Sequence, residues 1–200
     1  MAQHPTILEA SSNAIIVALS ETELGKVILP SQLRFVEVST GKEVELSDDA
    51  NPTVQHEAAA LQYANAINGL MPKFFRLQLW QDDHGNTHDM LVMERLYPLP
   101  THHFDLSTRK KMMKQFEDQL NELHEHLFVH GDLMRPTHYY NRNDQAWMFK
   151  NIVQTATGLR LIDAGFGKIG NKENLRMVIP ISFREREELK CFEAYYLSSF

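Results

Sequence analysis

The sequence predicts an α+β protein of two lobes, with a mostly antiparallel sheet in the amino-terminal part and a smaller, more helical remainder. Three observations predict it. Short β-branched runs separated by polar turn residues fill the positions before 97; one Ala- and Leu-rich stretch of helical composition interrupts them; and two prolines at 98 and 100 precede a long segment whose apolar residues recur every three or four positions. At 200 residues and 43% hydrophobic, the chain can build one ordinary domain or two small lobes sharing an interface.

The elements follow in order. AIIVAL at 14 to 19, KVIL at 26 to 29 and LRFVEV at 33 to 38 read as three strands. Pro52 and Thr53 precede VQHEAAALQYANAI, a helix that Asn68-Gly69 stops. FFRLQLW and HDMLVMERL then form a hairpin around the turn DDHGN. Beyond Pro98 and Pro100, Ser107 is placed to cap a helix in which Met113, Phe116, Leu120, Leu123 and Leu127 mark one apolar face, so that helix must pack against a core. HYYN, AWMFKNIVQ and LRLID are further strand candidates, with turns at RNDQ and TATG, and FREREELKCFEAYYL reads as a closing helix. The expected lobes are residues 1 to 96, sheet plus one helix, and residues 97 to 200, a reduced helical lobe. Tyr195, Tyr196, Leu197 and Phe200 read as core filling.

Composition narrows the function. A formal net charge of -6 argues against a nucleic-acid partner, since phosphate binding needs clustered Lys and Arg. The one basic cluster, Arg109, Lys110 and Lys111, reads as a solvated helix face. A single cysteine, Cys191, excludes an internal disulfide framework and points to a reducing compartment. The segment MAQHPTILEASS has no basic region followed by an apolar run, and no stretch approaches the roughly 18 apolar residues of a membrane span, so the expectation is a protein without a membrane partner.

Two acids then stand out. LFVHGDLM, residues 127 to 134, places Asp132 directly behind the long amphipathic helix, and LRLIDAGFG, residues 159 to 167, places Asp163 at the end of an apolar strand before a Gly-containing turn. Two carboxylates, each ending a buried element and each followed by loop, suit a reaction of a metal-bound nucleotide. One orients an attacking hydroxyl and accepts its proton, and the other holds Mg²⁺ against the phosphates.

These motifs resemble the protein-kinase-like superfamily, especially the branch with an HGD catalytic loop that includes aminoglycoside phosphotransferases, RIO kinases and the small kinase of the KEOPS complex. His130-Gly131-Asp132-Leu133 is similar to that branch's catalytic loop, and Asp163-Ala164-Gly165 stands where its Asp-Phe-Gly metal-binding motif belongs. The resemblance implies ATP and Mg²⁺ as cofactors, with ATP in a cleft between the lobes and adenine near Met93, Glu94 and Leu96. It implies catalytic roles for Asp132 and His130, and a phosphate-side ion pair made by Glu57.

Three departures accompany it. SETELGKV, residues 20 to 27, aligns with the family's glycine loop but keeps only Gly25 and Val27, and an ordinary hairpin turn describes it equally well. The strand LRFVEV offers Glu37 where the family carries its phosphate-contacting Lys, leaving Lys26 and Lys42 as alternative cations. The second metal ligand, an Asn five residues after the catalytic Asp in the family, is Thr137 by direct counting, or Asn151 if an insertion separates loop and strand; Asn151 is slightly favoured.

With 37 residues after Asp163 in the 200-residue chain, the second lobe is short for a kinase, as in certain bacterial effectors. The expected activity is transfer of the γ-phosphoryl group of Mg-ATP to a hydroxyl, with protein Ser or Thr as the first choice of acceptor. The alternative is a pseudokinase acting as a binding or scaffold protein. The expected setting is the cytoplasm, or a host cytosol after secretion, where an activating or host protein could be the partner.

Overall fold

In a computed structural model of the protein, which describes residues 6–10, 14–29, 34–36, 43–45, 53–134 and 149–198, the alternating apolar runs assemble a five-stranded sheet. Its spatial order is β1 (Thr6–Ala10), β2 (Ala14–Ala18), β3 (Glu23–Ile28), β7 (Thr87–Glu94) and β6 (Phe74–Gln81). β1 with β2, β2 with β3 and β3 with β7 pair antiparallel. β1 was not among the expected strands. Every one of its residues is exposed, so it lacks the in-out alternation by which a half-buried strand shows itself in sequence.

The run LRFVEV takes a different place from the one expected. Its described part, β4 (Arg34–Val36), pairs with β5 (Glu43–Glu45) in a separate two-stranded ribbon and contributes nothing to the main sheet. The strand read from residue 26 instead begins at Glu23 and lies in the centre of the sheet. On one sheet face Val27, Met90 and Val92 are fully buried and pack with Ile15, Leu19, Leu29 and Trp80. Gly25 belongs to this layer: a β-carbon there would collide with the Met90 thioether, so the side-chain space at position 25 is already filled from β7.

Helix α1 (Val54–Ile67) has the span its composition predicts, and its entry is capped by the Thr53 hydroxyl, which accepts from the His56 amide at 3.0 Å. The chain divides into two compact units, one of residues 1–58 and 75–95, the other of residues 59–74 and 96–200. The division thus runs through α1 after Ala58, and residues 59–74 group with the carboxy-terminal part of the chain.

In the second unit, helix α2 (Leu106–Glu125) buries Met113, Phe116, Leu120 and Leu123, the stripe expected of it. Its cap differs. Asp105, two residues before Ser107, accepts from the Thr108 amide at 2.7 Å, and that bond holds its carboxyl below the usual carboxylate range. Leu127 lies past the helix end, at φ +60. Arg109 is no part of a solvated face: it is buried, donates to the Tyr196 carbonyl at 2.6 Å and lies over that ring.

Two short strand pairs complete this unit among the described residues: β8 (Phe128–Val129) pairs with β11 (Lys168–Ile169), and β9 (Ile152–Thr155) pairs with β10 (Gly158–Leu161). The candidate strand HYYN lies outside the described residues. The closing helix α3 (Leu175–Ser198) begins ahead of Pro180, a residue that in sequence suggests a break but here sits near the helix start, where one backbone hydrogen bond is forgone. Its buried residues Glu185, Leu189, Phe192 and Tyr196 follow helical spacing. Phe192 is central: its ring centroid lies 5.9 Å from Phe116, 5.2 Å from Phe149 and 5.4 Å from Tyr196. Among the described residues no helix is long and apolar enough to cross a membrane.

Candidate active site

In the first unit Lys26, one of the two candidate cations, has a buried carboxylate partner. Lys26, in mid-β3 between Ile16 of β2 and Leu91 of β7, reaches the α1 carboxylate of Glu57 at 2.8 Å to Oε2 and 3.0 Å to Oε1. Glu57 is fully buried and the Lys26 side chain is 11% exposed. Taking both charges out of water costs several kcal/mol per ion, so the pair is weak evidence for stability and better evidence for a role that needs a fixed ammonium. Lys42 and Glu37 lie outside the described residues.

The expected glycine loop is a hairpin turn. Ser20 accepts from the amides of Thr22 and Glu23 at 3.1 and 3.0 Å, closing the β2–β3 connection, while Gly25 and Val27 lie beyond it inside β3. Met93 and Glu94 end β7, buried and half-buried. Arg95 then ties back to the same turn, its amide donating to Thr22 and its guanidinium to the Ser20 carbonyl. Leu96 is half-buried and is the first residue after the first unit.

In the second unit, the HGD loop leaves β8 and is held at every residue. His130 is fully buried and its Nε2 lies 2.8 Å from the carbonyl of Ile162, the residue before Asp163. That contact makes His130 a strut between the two acid-bearing segments. Gly131 has φ +83, a conformation glycine adopts without strain, and a β-carbon there would strike the Phe166 carbonyl in the turn after Asp163. Its amide donates to Glu185 Oε1 at 2.6 Å and its carbonyl accepts from Arg184 at 2.8 Å, so consecutive residues of α3 hold the two peptide groups that flank Gly131. The other Glu185 oxygen meets His124 Nε2 of α2 at 2.8 Å, with both side chains almost wholly buried.

Asp132 and Asn151 come together despite the 19 positions between them. Asn151, just ahead of β9 and 2% exposed, donates from Nδ2 to the Asp132 carbonyl at 2.7 Å and to Asp132 Oδ2 at 3.0 Å. With Nδ2 as the donor, Oδ1 is the atom of that amide able to ligate a cation. Its own carbonyl accepts from the Ile162 amide at 2.9 Å, so Ile162 links the Asn151 backbone to the His130 side chain. Asp163 follows at φ +64, ψ +71, a left-handed conformation that is uncommon for a residue with a side chain and occurs where surrounding contacts impose it. Thr137 lies outside the described residues.

Sequence reading missed the α3 contribution. Glu185 and Glu188 sit in a charged run, FREREEL, that looks like a solvated face; only the three- and four-residue spacing to Phe192 and Tyr196 signals that this side of the helix is buried. Burial pushes the Glu188 carboxyl up to about 7, with Arg184 opposing the shift and Glu185 adding to it.

No protein-family profile matches the chain, and no curated protein sequence does. Among solved structures, the chain is similar to the Cydia pomonella granulovirus kinase PK-1, with a TM-score of 0.48 and 16% sequence identity over 82% of this chain and 51% of that one. The chain therefore spans about half the length of that structure.

Proposed function

We propose that the chain is a compact phosphotransferase that moves the γ-phosphoryl group of Mg-ATP to a hydroxyl, with protein Ser or Thr as the acceptor class. The observation that carries this reading is the Asp132–Asn151 pair: an aspartate held by an amide that keeps an oxygen for a cation, on a loop strutted to the segment bearing Asp163. The donor set suits magnesium. Among the described residues there is no cluster of three or more acid, His or Cys side chains able to hold a metal. One carboxylate and one amide oxygen are nevertheless what a magnesium ion that keeps water and phosphate ligands takes from a protein. Asp163 and Asn151 would be the residues that hold such an ion, whose chemistry would be to offset charge developing on the transferred group.

The chain's own groups supply the rest. Asp132 orients the acceptor hydroxyl and takes its proton, and Asn151 keeps that carboxylate in one rotamer. Glu57 fixes the Lys26 ammonium, which stands on the third strand, where kinases carry the lysine that contacts nucleotide phosphates. The pseudokinase alternative rests on Glu37, which lies outside the described residues, and on the glycine-poor loop at 20 to 27; the Lys26–Glu57 pair supports the active reading.

The test is transfer of label from γ-labelled ATP with Mg²⁺ to the protein itself, to lysate proteins and to small hydroxyl compounds. Label on protein Ser or Thr is expected. Label only on small compounds would overturn the acceptor class, and no transfer to any of the three would overturn the activity.

A further inference from the structure

Helix α3 meets the HGD loop at more than one point. Arg184 and Glu185 hold the two peptide groups that flank Gly131, at 2.8 and 2.6 Å. One turn along the same helix, Glu188 is buried, with Oε1 3.3 Å from the Arg184 guanidinium. The Met134 amide and Arg184 favour its ionised form, while Glu185 and Asp132 oppose it. The helix therefore reaches the loop on both sides of Asp132, at Gly131 and at Met134. Among the described residues these are the charged groups that face Glu188; His124 of α2 is engaged with Glu185. A carboxylate does not serve stability in this place. Its Oε2 is buried with no hydrogen-bond partner among the described residues, and two like charges lie near it. Both features act against the folded state, and a neutral side chain of the same shape would be penalised less.

We propose, resting on the phosphotransferase reading above, that ionised Glu188 is a positioning residue: it holds the Met134 end of the loop while Arg184 and Glu185 hold the Gly131 end, and so fixes the direction of the Asp132 carboxylate. An ionised acceptor holds an amide roughly twice as strongly as a neutral one, so a proton on Glu188 slackens one end of the loop and leaves the other in place. Misplacing a reacting group by about 1 Å can cost on the order of 10²-fold in rate, and a partial slackening costs less than that. Burial sets the carboxyl to change charge at about 7, so the hold is complete only above neutrality. Glu188→Gln keeps the shape and an oxygen acceptor, and imitates the protonated form at every pH.

Two measurements on the full chain test this. Amide hydrogen exchange at pH 8, read on peptides covering residues 131 to 134, should be about 3- to 10-fold faster in Glu188→Gln than in wild type. The variant should melt no lower. The fold raises the Glu188 pKa, so the stability tied to its proton is lost as pH rises through about 7, and the amide never carries the charge that causes the loss. With the acceptor found by label transfer, the ratio of wild-type to Glu188→Gln kcat should grow from near one at pH 6 to about 3 to 10 at pH 8, while KM for Mg-ATP stays the same. Unchanged exchange in Glu188→Gln, or a lower melting temperature, would overturn the proposal whether or not the chain transfers phosphate. A kcat ratio that is equal at pH 6 and pH 8 would overturn it as well. An exchange difference in a chain that transfers no label would uphold the grip on the loop and overturn the phosphotransferase reading instead.

Discussion

Asp132→Ala is expected to lower kcat by about 10² to 10⁴-fold, the usual worth of a positioned general base, while nucleotide binding stays within a few-fold of wild type. The fold should tolerate the change, because Asn151 keeps its shorter bond, 2.7 Å to the residue 132 carbonyl, when the carboxylate is removed. D132N is the sharper variant: it preserves shape and an acceptor for the Asn151 amide but cannot take a proton at neutral pH. Steady-state kinetics on the acceptor found by label transfer measures both. An unchanged kcat in either variant would remove Asp132 from the chemistry.

Glu185→Ala carries the largest expected effect on stability. The carboxylate is fully buried and accepts from two groups, the half-buried Gly131 amide and the buried His124 Nε2. Removing it strands both donors and leaves a cavity, a combination that costs roughly 3 to 5 kcal/mol, a large part of the 5 to 15 kcal/mol that stabilises an ordinary domain. The urea unfolding midpoint should fall accordingly. E185Q should recover part of the loss, since an amide oxygen can still accept from Gly131. Its residual defect should lie in kcat more than in KM, because what it disturbs is the orientation of the loop before Asp132. A loss in Glu185→Ala below about 1 kcal/mol, the scale of a single ordinary hydrogen bond, would show that α3 does not hold the loop.

Those two residues also show what was legible in the chain. Asp132 and Asp163 announce themselves because each is an acid at the end of an apolar run, a placement with a desolvation cost that local patterning exposes. Helix α1, the β6–β7 hairpin and the apolar stripe of α2 were legible for a related reason: each is a local periodicity with a stop signal beside it. Glu185 is hidden because its burial depends on which face of α3 meets the catalytic loop, and a charged run reads as surface until its neighbours are known. Lys26 stood as one of two alternative cations because the fully exposed β1 leaves no periodic trace, and the family's lysine was looked for in LRFVEV, whose described part belongs to a separate ribbon. Asn151 was singled out by comparing the length of its stretch with a known pattern, and its contact with Asp132 across 19 positions has no local signature.

The acids at 132 and 163, with Asn151 between their segments, are proposed to form one magnesium-nucleotide site. A thermal-shift titration with Mg-ATP tests it most directly, because a ligand that binds only the folded state raises its apparent stability by an amount set by concentration and affinity. The account predicts a saturable rise in melting temperature for wild type that requires Mg²⁺, is abolished in Asp163→Ala and persists in Asp132→Ala. No rise at millimolar Mg-ATP, or a rise that Asp163→Ala leaves intact, would contradict it.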